Sequence, residues 1–319
     1  MRFRSCRGGG SRRVVRAAAC AVIAAGVGCQ TDFTAGVAPD DRPVADSVAW
    51  VNPPTFGPPT LLAAGDVARC GQDGDDATAA LLDTLSGTVL ALGDHAYQNG
   101  TAAEYRDCFD PSWGRHRPRT RPAPGNHEYG SPGAAPYFAY FGSAAGPAGR
   151  GYYSFDVGAW HVVSLNSNTG MQAGSPQEQW LRADLAAHPA RCTLAFWHHP
   201  RFSSARHGSD ARSSALWAAL AEAGADVVLA GHDHVYERFA PLAADGTPDA
   251  ARGIRSFVVG TGGADLYEFQ APSAPGSEAR YNSSFGVLQI ALGDADYAWT
   301  FIPVGGGAPV DRGRASCSE

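Results

Sequence analysis

Five short motifs place metal-binding side chains along the chain: Gly65-Asp66, Gly93-Asp94-His95-Ala96-Tyr97, Gly125-Asn126-His127-Glu128, His198-His199-Pro200 and Gly231-His232-Asp233-His234. The side chains expected to meet are two Asp, 66 and 94, a Tyr, an Asn and at least three His. Carboxylate and phenolate oxygens beside imidazole nitrogens suit iron, manganese or zinc rather than a soft-ligand centre, and there are too many donors for one tetrahedral ion. Two ions about 3.5–4 Å apart, sharing one carboxylate, would use all of them. His232 and His234 lie on one side of the chain if it is extended, or splay around a turn to reach one ion each.

Side chains so distant in sequence meet only if the elements carrying them converge. Each motif closes a short run: residues 61–64, 89–92, 193–197 and 227–230 are apolar, and 119–124 is less so but ends alike. Apolar runs of four to six residues read as buried strands. Helical patterns lie between some of them, at 76–85, 176–187 and 210–223; Ala79, Leu82 and Leu85 share one face of the first, and Leu216, Leu220 and Ala223 one face of the third. Strands alternating with helices imply a largely parallel sheet whose carboxyl ends gather ligands, with the glycines allowing sharp turns there.

The 319 residues are 44% hydrophobic, with 39 Gly and 22 Pro, which describes a folded chain. All 25 basic residues are Arg and only 18% of residues are charged, which argues against a nucleic-acid-binding surface. Six Arg fall within the first 16 residues, no acidic residue precedes Asp32, and residues 17–28 are small and apolar. That order makes residues 1–29 an export signal, too short to span a bilayer. Ser11-Arg12-Arg13 resembles the twin-arginine motif, although Val15 and Arg16 replace its bulky apolar pair. Cys29 is either a lipoprotein-type cleavage site or lies near an ordinary one. The protein is then exported, secreted or attached to the outer face of the membrane, with a lipid on Cys29 as its membrane link. Without the signal, 19 Arg stand against 31 acidic side chains, a net charge of −12.

Residues 30–59 are Pro-rich and irregular, a linker or arm. Discounting Cys6, Cys20 and Cys29 leaves Cys70, Cys108, Cys192 and Cys317, an even number with three possible pairings in an oxidising compartment. Cys70 and Cys108 each follow an acidic strand-end motif and are paired on that account, leaving Cys192 with Cys317; four buried thiols are the alternative.

The five motifs in this order resemble the calcineurin-like metallophosphoesterase superfamily, and within it the purple acid phosphatases. Many members of the superfamily carry a His two residues after the first Asp, where this chain has Ala68; Tyr97 instead completes the GD-x-x-Y of purple acid phosphatases. The likeness runs from about Leu61 to Ile302. It implies that Asp66, Tyr97 and His234 hold one ion, Fe(III), and that Asn126, His198 and His232 hold a second, Fe(II), Zn(II) or Mn(II), with Asp94 as the bridge. His198 is preferred to His199 because the family ligand lies two residues before the Pro. His127 would face the phosphate and the leaving group without binding metal, and His207, nine residues after His198, matches a substrate His that lies behind the metal ligands. His95 and His199 read as supporting or packing residues, Glu128 as a loop anchor, and the basic residues 115–121 as either an anion-attracting or a solvated loop.

The expected fold is α/β, a four-layer α/β/β/α sandwich of two mixed sheets flanked by helices, formed by residues 60–319 as one domain with the metal site at strand carboxyl ends. Clearer alternation at 152–166, 254–259, 285–292 and 297–303 assigns those runs to the second sheet. The chemistry implied is hydrolysis of a small phosphate ester, a monoester first, by in-line attack of a metal-bridging hydroxide, the ions lowering the pKa of water from about 15.7 toward about 7. A phosphodiesterase acting on nucleotides or phospholipid headgroups is the alternative, with loops such as 130–150 setting the preference. A non-catalytic exported metal-binding protein is the third reading; the loss of His127 or of a ligand that would mark it is not seen. Oligomeric state is not legible in the sequence.

Overall fold

A computed structural model describes residues 57–318; the expected export signal, Cys29 and the arm up to residue 56 lie outside the described residues. The strands, in chain order, are β1 (Thr60–Ala64), β2 (Ala68–Arg69), β3 (Thr88–Leu92), β4 (Ala96–Tyr97), β5 (Thr120–Ala123), β6 (Tyr153–Val157), β7 (Trp160–Ser164) and β8 (Cys192–Phe196). After these come β9 (Val227–Ala230), β10 (Tyr236–Phe239), β11 (Arg255–Val259), β12 (Ser277–Tyr281), β13 (Gly286–Leu292), β14 (Asp296–Pro303) and β15 (Asp311–Ser316). They build a six-stranded sheet in the order β15-β14-β13-β1-β3-β5, a seven-stranded sheet in the order β12-β10-β11-β9-β8-β7-β6, and a small β2-β4 ladder. Both large sheets are mixed: β1 pairs parallel with β3 and antiparallel with β13, and β8 pairs parallel with β7 and β9 while β10 runs antiparallel to β11.

The alternating C-terminal runs do not all join the second sheet. β13 and β14 extend the first sheet beside β1, whereas β6, β7 and β11 flank β8 and β9 in the second. A period of two identifies a strand with unlike faces but not its neighbours, which are chosen by pairing register; here Thr60 lies opposite Ala291 and Ala63 opposite Leu288.

Alternate residues of the second sheet feed two cores. Val162, Leu194, Phe196, Leu229 and Phe257 pack with β1 and β3 side chains between the sheets. Val163, Ala195, Val228 and Val258 point the other way, onto Leu181, Leu216, Trp217 and Leu220 of the helices Pro176–Ala187 and Ser214–Glu222. Ser175 caps the first of these through the Glu178 N–H, and Asp210 caps a 3-10 turn, Ala211–Ser213, that leads into the second. On the first sheet the helix Gly74–Asp83 packs Ala79 and Leu82 into the shared core, two residues N-terminal of its expected span.

Residues 130–150 are more than a loop. They contain the helix Ala135–Phe141, because Tyr137 and Phe141, four apart, bury against the core. The basic run at 115–121 is a 3-10 segment, Trp113–Arg119, running into β5. Arg115 forks onto Asp83, and Arg119 donates to the carbonyls of Leu82, Leu85 and Gly87, closing the end of the helix Gly74–Asp83. Those two guanidiniums are therefore committed to structure. Disulfides join Cys70 to Cys108 and Cys192 to Cys317. Among the described residues no helix is long and apolar enough to cross a membrane.

Candidate metal centre

The motif residues leave β1, β3 and β5, neighbours in the first sheet, and β8 and β9, neighbours in the second. One sheet does not gather the five strand ends, as expected from the alternating pattern; two sheets meet along a seam and each supplies part of the cluster. The sharp turns are made by the polar residues as well as by glycine. Asp66, Asp94 and His232 have φ of 61°, 52° and 69°, the left-handed region that costs an ordinary residue about 1–2 kcal/mol. Hydrogen bonds hold them there: His232 N–H donates to Asp66 Oδ2 at 2.7 Å and His127 N–H to Asp94 Oδ1 at 2.8 Å. Gly125 is required for close approach, since a Cβ there would sit 2.1 Å from Asp94 Oδ1.

All seven expected ligand side chains converge. Tyr97 Oη donates to Asp66 Oδ1 at 2.8 Å and lies 3.1 Å from His234 Nε2, which is itself 3.2 Å from Asp66 Oδ1. On the other side His198 Nε2 lies 3.0 Å from Asp94 Oδ2, 3.1 Å from Asn126 Oδ1 and 3.2 Å from His232 Nδ1. The two groups meet where Tyr97 Oη approaches Asp94 Oδ2 at 3.3 Å. Asp66, Asp94, His198 and His234 are almost wholly buried.

Burial this deep makes the charges interdependent. Desolvation works against the His198 imidazolium, but Asp94 outweighs it and carries the pKa up to about 9. Burial likewise opposes the Asp94 carboxylate, and His198 and His127 reverse the balance, holding it well below the usual range. His232 and His199 go the other way: burial and then the neighbouring His198 push His232 far down and His199 to about 3. The Tyr97 hydroxyl is pushed well above its ordinary value by burial and by Asp66 and Asp94, so it remains a phenol that donates to Asp66.

The other sequence candidates divide cleanly. His127 Nδ1 lies 2.6 Å from the Gln98 carbonyl, which fixes the proton there, and Nε2 lies 3.7 Å from Asp94 Oδ2. The His207 ring packs 4.3 Å from that of His232, and its backbone N–H donates to Asp233 Oδ1. Glu128 is fully buried and accepts from the N–H groups of Asp94, His95 and Gly125, while His95 backs it in an aromatic cage of Tyr105, Phe109, Tyr137 and Phe141. His199 Nδ1 is engaged by Ser167 Oγ at 2.7 Å, which leaves His198 as the histidine facing Asp94. Sequence reasoning passed over Tyr267, whose ring stacks on His234 at 4.0 Å and 7°, and over Asp233, which anchors the His207 segment. Asp233 was inside a recognised motif; Tyr267 follows no motif and had no signal.

The donor set fits two cations. With metal–ligand bonds of about 2.1 Å at right angles, adjacent donors stand about 3.0 Å apart, close to the separations within each group. His198 makes the case most directly. Its Nδ1 lies 2.8 Å from the Leu92 carbonyl, so that atom carries a proton, and Nε2 faces two oxygens and the ring nitrogen Nδ1 of His232. A metal ion satisfies that arrangement as a second proton does.

A family model described as calcineurin-like phosphoesterase matches residues 59–236. Purple acid phosphatase 21 of Arabidopsis thaliana is 36% identical over 160 residues, 46% of this chain and 36% of that protein. Purple acid phosphatase 18 of the same plant is 27% identical over 276 residues, 78% of this chain and 60% of that one. The chain thus spans less than two thirds of either relative. Among solved structures, yellow lupin (Lupinus luteus) purple acid phosphatase PPD1 superposes with a TM-score of 0.70 at 19% identity, covering 82% of this chain and 54% of its own, a likeness of fold.

Proposed function

The chain belongs to the calcineurin-like phosphoesterase family, and on that footing we propose that it hydrolyses small phosphate esters, monoesters in first place, at the seam between its two sheets. The observation that carries this reading is the position of Asp94 Oδ2, within 3.3 Å of Tyr97 Oη and 3.0 Å of His198 Nε2, so that one carboxylate serves both donor groups. In this reading Asp66, Tyr97 and His234 hold one ion, Asn126, His198 and His232 the other, and Asp94 is common to both. Two bound cations would supply positive charge to the phosphoryl oxygens and acidify the attacking water.

The chain's own groups do the rest. His127, acting as an imidazolium with Nδ1–H on the Gln98 carbonyl, presents Nε2–H to the departing alkoxide and gives up that proton, leaving the neutral ring. His207, whose ring stands 4.3 Å from that of His232, would help hold the transition-state charge. Glu128 keeps the Asp94 and Asn126 turns in register through three backbone N–H groups. No Ser or Cys nucleophile is required, so water attacks phosphorus directly and no phosphoenzyme forms. An acidic chain handles an anion here because the local field of two cations outweighs distant surface charge. The Fe(III) assignment at Tyr97 and export of the chain, by a lipoprotein-type signal ending at Cys29 or an ordinary one cut nearby, belong to the same proposal and rest on the sequence.

Steady-state hydrolysis of p-nitrophenyl phosphate and of bis(p-nitrophenyl) phosphate tests the ranking. A higher kcat/KM on the monoester supports it, and a much higher value on the diester moves the protein to the phosphodiesterases.

A further inference from the structure

Glu104 accepts more hydrogen bonds than its place in the chain calls for. It stands three residues after Thr101 in a capping box, where the Thr101 N–H reaches Glu104 Oε2 at 2.8 Å and the Thr101 side chain accepts from the Glu104 N–H at 3.2 Å. That exchange completes the box. The same carboxylate also accepts from the N–H of Gln98, through Oε1, and from the N–H of Asn99, through Oε2 at 3.1 Å. Capping the short turn Ala102–Glu104 does not account for those two contacts.

The Asn99 N–H belongs to the peptide unit whose carbonyl is that of Gln98, and this carbonyl lies 2.6 Å from His127 Nδ1. The unit is planar and trans, its N–H and C=O pointing in opposite directions, so fixing one end aims the other. Glu104 therefore sets the direction of the acceptor that holds the proton donor. Its charge also polarises the peptide, which strengthens the carbonyl as an acceptor. Packing contributes little here. Gln98 and Asn99 are exposed, and the His127 side chain keeps 23% of its surface open, with the Tyr97 ring 4.3 Å away on one side. The Gln98 amide nitrogen stands farther from Nδ1, at 3.4 Å. Ser131 Oγ donates to the Asn99 carbonyl at 2.9 Å, a second restraint on the turn that carries no charge.

We propose that Glu104 is a positioning residue for His127, acting through the Gln98–Asn99 peptide to aim Nε2–H at the leaving group. Protonation of the leaving group then depends on a carboxylate outside the donor set of the metal centre. This inference rests on the phosphoesterase reading and deepens it. The step balances without another reactant: water attacks phosphorus, the P–O bond to the leaving group breaks, and one proton passes from Nε2 to the departing oxygen, leaving the ring neutral.

The test uses the metal-replete full-length protein and compares kcat/KM for phenyl phosphate with kcat/KM for p-nitrophenyl phosphate. Phenoxide is the stronger base and needs the proton more, so the ratio reads leaving-group protonation and is unmoved by a general loss of folded protein. His127→Ala should lower the ratio about a hundredfold, the lower end of what a positioned proton donor contributes. Glu104→Ala should lower it about tenfold, a part of that contribution, since the Ser131 contact remains. Glu104→Gln should lower it only about threefold, because the amide keeps one accepting oxygen. Glu178→Ala, which removes the glutamate three residues after the Ser175 cap of the helix Pro176–Ala187, should leave the ratio within about twofold of wild type, as a lost cap elsewhere has no line to His127. An unchanged ratio in Glu104→Ala, or in Glu104→Gln where the alanine variant does not fold, overturns the positioning role, as does an equal fall in Glu178→Ala or an unchanged ratio in His127→Ala. Failure of the wild-type protein to hydrolyse either ester overturns the phosphoesterase reading and this inference with it.

Discussion

Asp94 Oδ2 lies 3.0 Å from His198 Nε2, although the two residues leave strands of different sheets. Their contact closes the seam and joins the two donor groups into one centre. If Asp94 is shared by both ions, the two groups should respond differently to deletion. Asn126→Ala should retain close to one ion per chain after dialysis, whereas Asp94→Ala should retain neither; elemental analysis distinguishes them. Two ions in Asp94→Ala would remove the shared carboxylate from the account.

Tyr97 supplies a test of metal identity. Burial and two carboxylates oppose its ionisation, so only a strongly Lewis-acidic ion turns it into a phenolate. Iron-loaded protein should show a visible absorption band that is absent in Tyr97→Phe. A colourless protein holding two zinc or manganese ions would exclude Fe(III) at Tyr97 while leaving the phosphoesterase reading in place.

Glu128 is buried with three backbone donors on its carboxylate. Removing it orphans those donors, and Glu128→Ala should lose about 3 kcal/mol of stability in urea unfolding. Its metal content should fall as well, since the Asp94 and Asn126 turns share this anchor. A variant as stable as wild type would show that water replaces the carboxylate without cost.

His161, remote in sequence from the motifs, predicts a pH dependence of stability. Both ring nitrogens face carboxylates, Nδ1 to Asp156 at 2.8 Å and Nε2 to Asp184 at 2.9 Å, and His188 stacks on the ring. Burial opposes its charge, but the two hydrogen-bonded carboxylates outweigh it and raise the pKa above the ordinary 6.5. The stabilisation is therefore complete below the unfolded value and is lost as pH rises through the higher folded one. Asp156 is largely exposed, so its share is screened, and about 2 kcal/mol is the scale to expect. Urea unfolding of wild type minus His161→Gln should show that difference at pH 5.5 and little of it at pH 9. A difference independent of pH would mean that His161 is neutral.

Much of this architecture was legible because the chemistry is written locally. A short apolar run followed by Asp, Asn or His marks a strand end wherever it occurs, and helices such as Pro176–Ala187 carry both periodicity and a Ser175 cap. What could not be read is how the strands are shared between sheets. β13 and β14 alternate like edge strands of either sheet, and only the register opposite β1 places them. The glycines suggested where the chain turns, yet Asp66, Asp94 and His232 adopt the left-handed backbone themselves, held by hydrogen bonds that no single motif contains. Tyr267 was invisible for the same reason: it meets His234 through folding, not through spacing.

The most direct measurement is the steady-state hydrolysis of p-nitrophenyl phosphate by metal-replete wild-type protein and by Asp94→Asn loaded in the same way. The account predicts turnover by the wild type that is abolished by chelation, and a fall of about a thousandfold or more in kcat for Asp94→Asn, the scale of losing preorganised charge at a reacting phosphate. Wild-type protein with two bound ions and no turnover, or an Asp94→Asn variant as active as wild type, would contradict it.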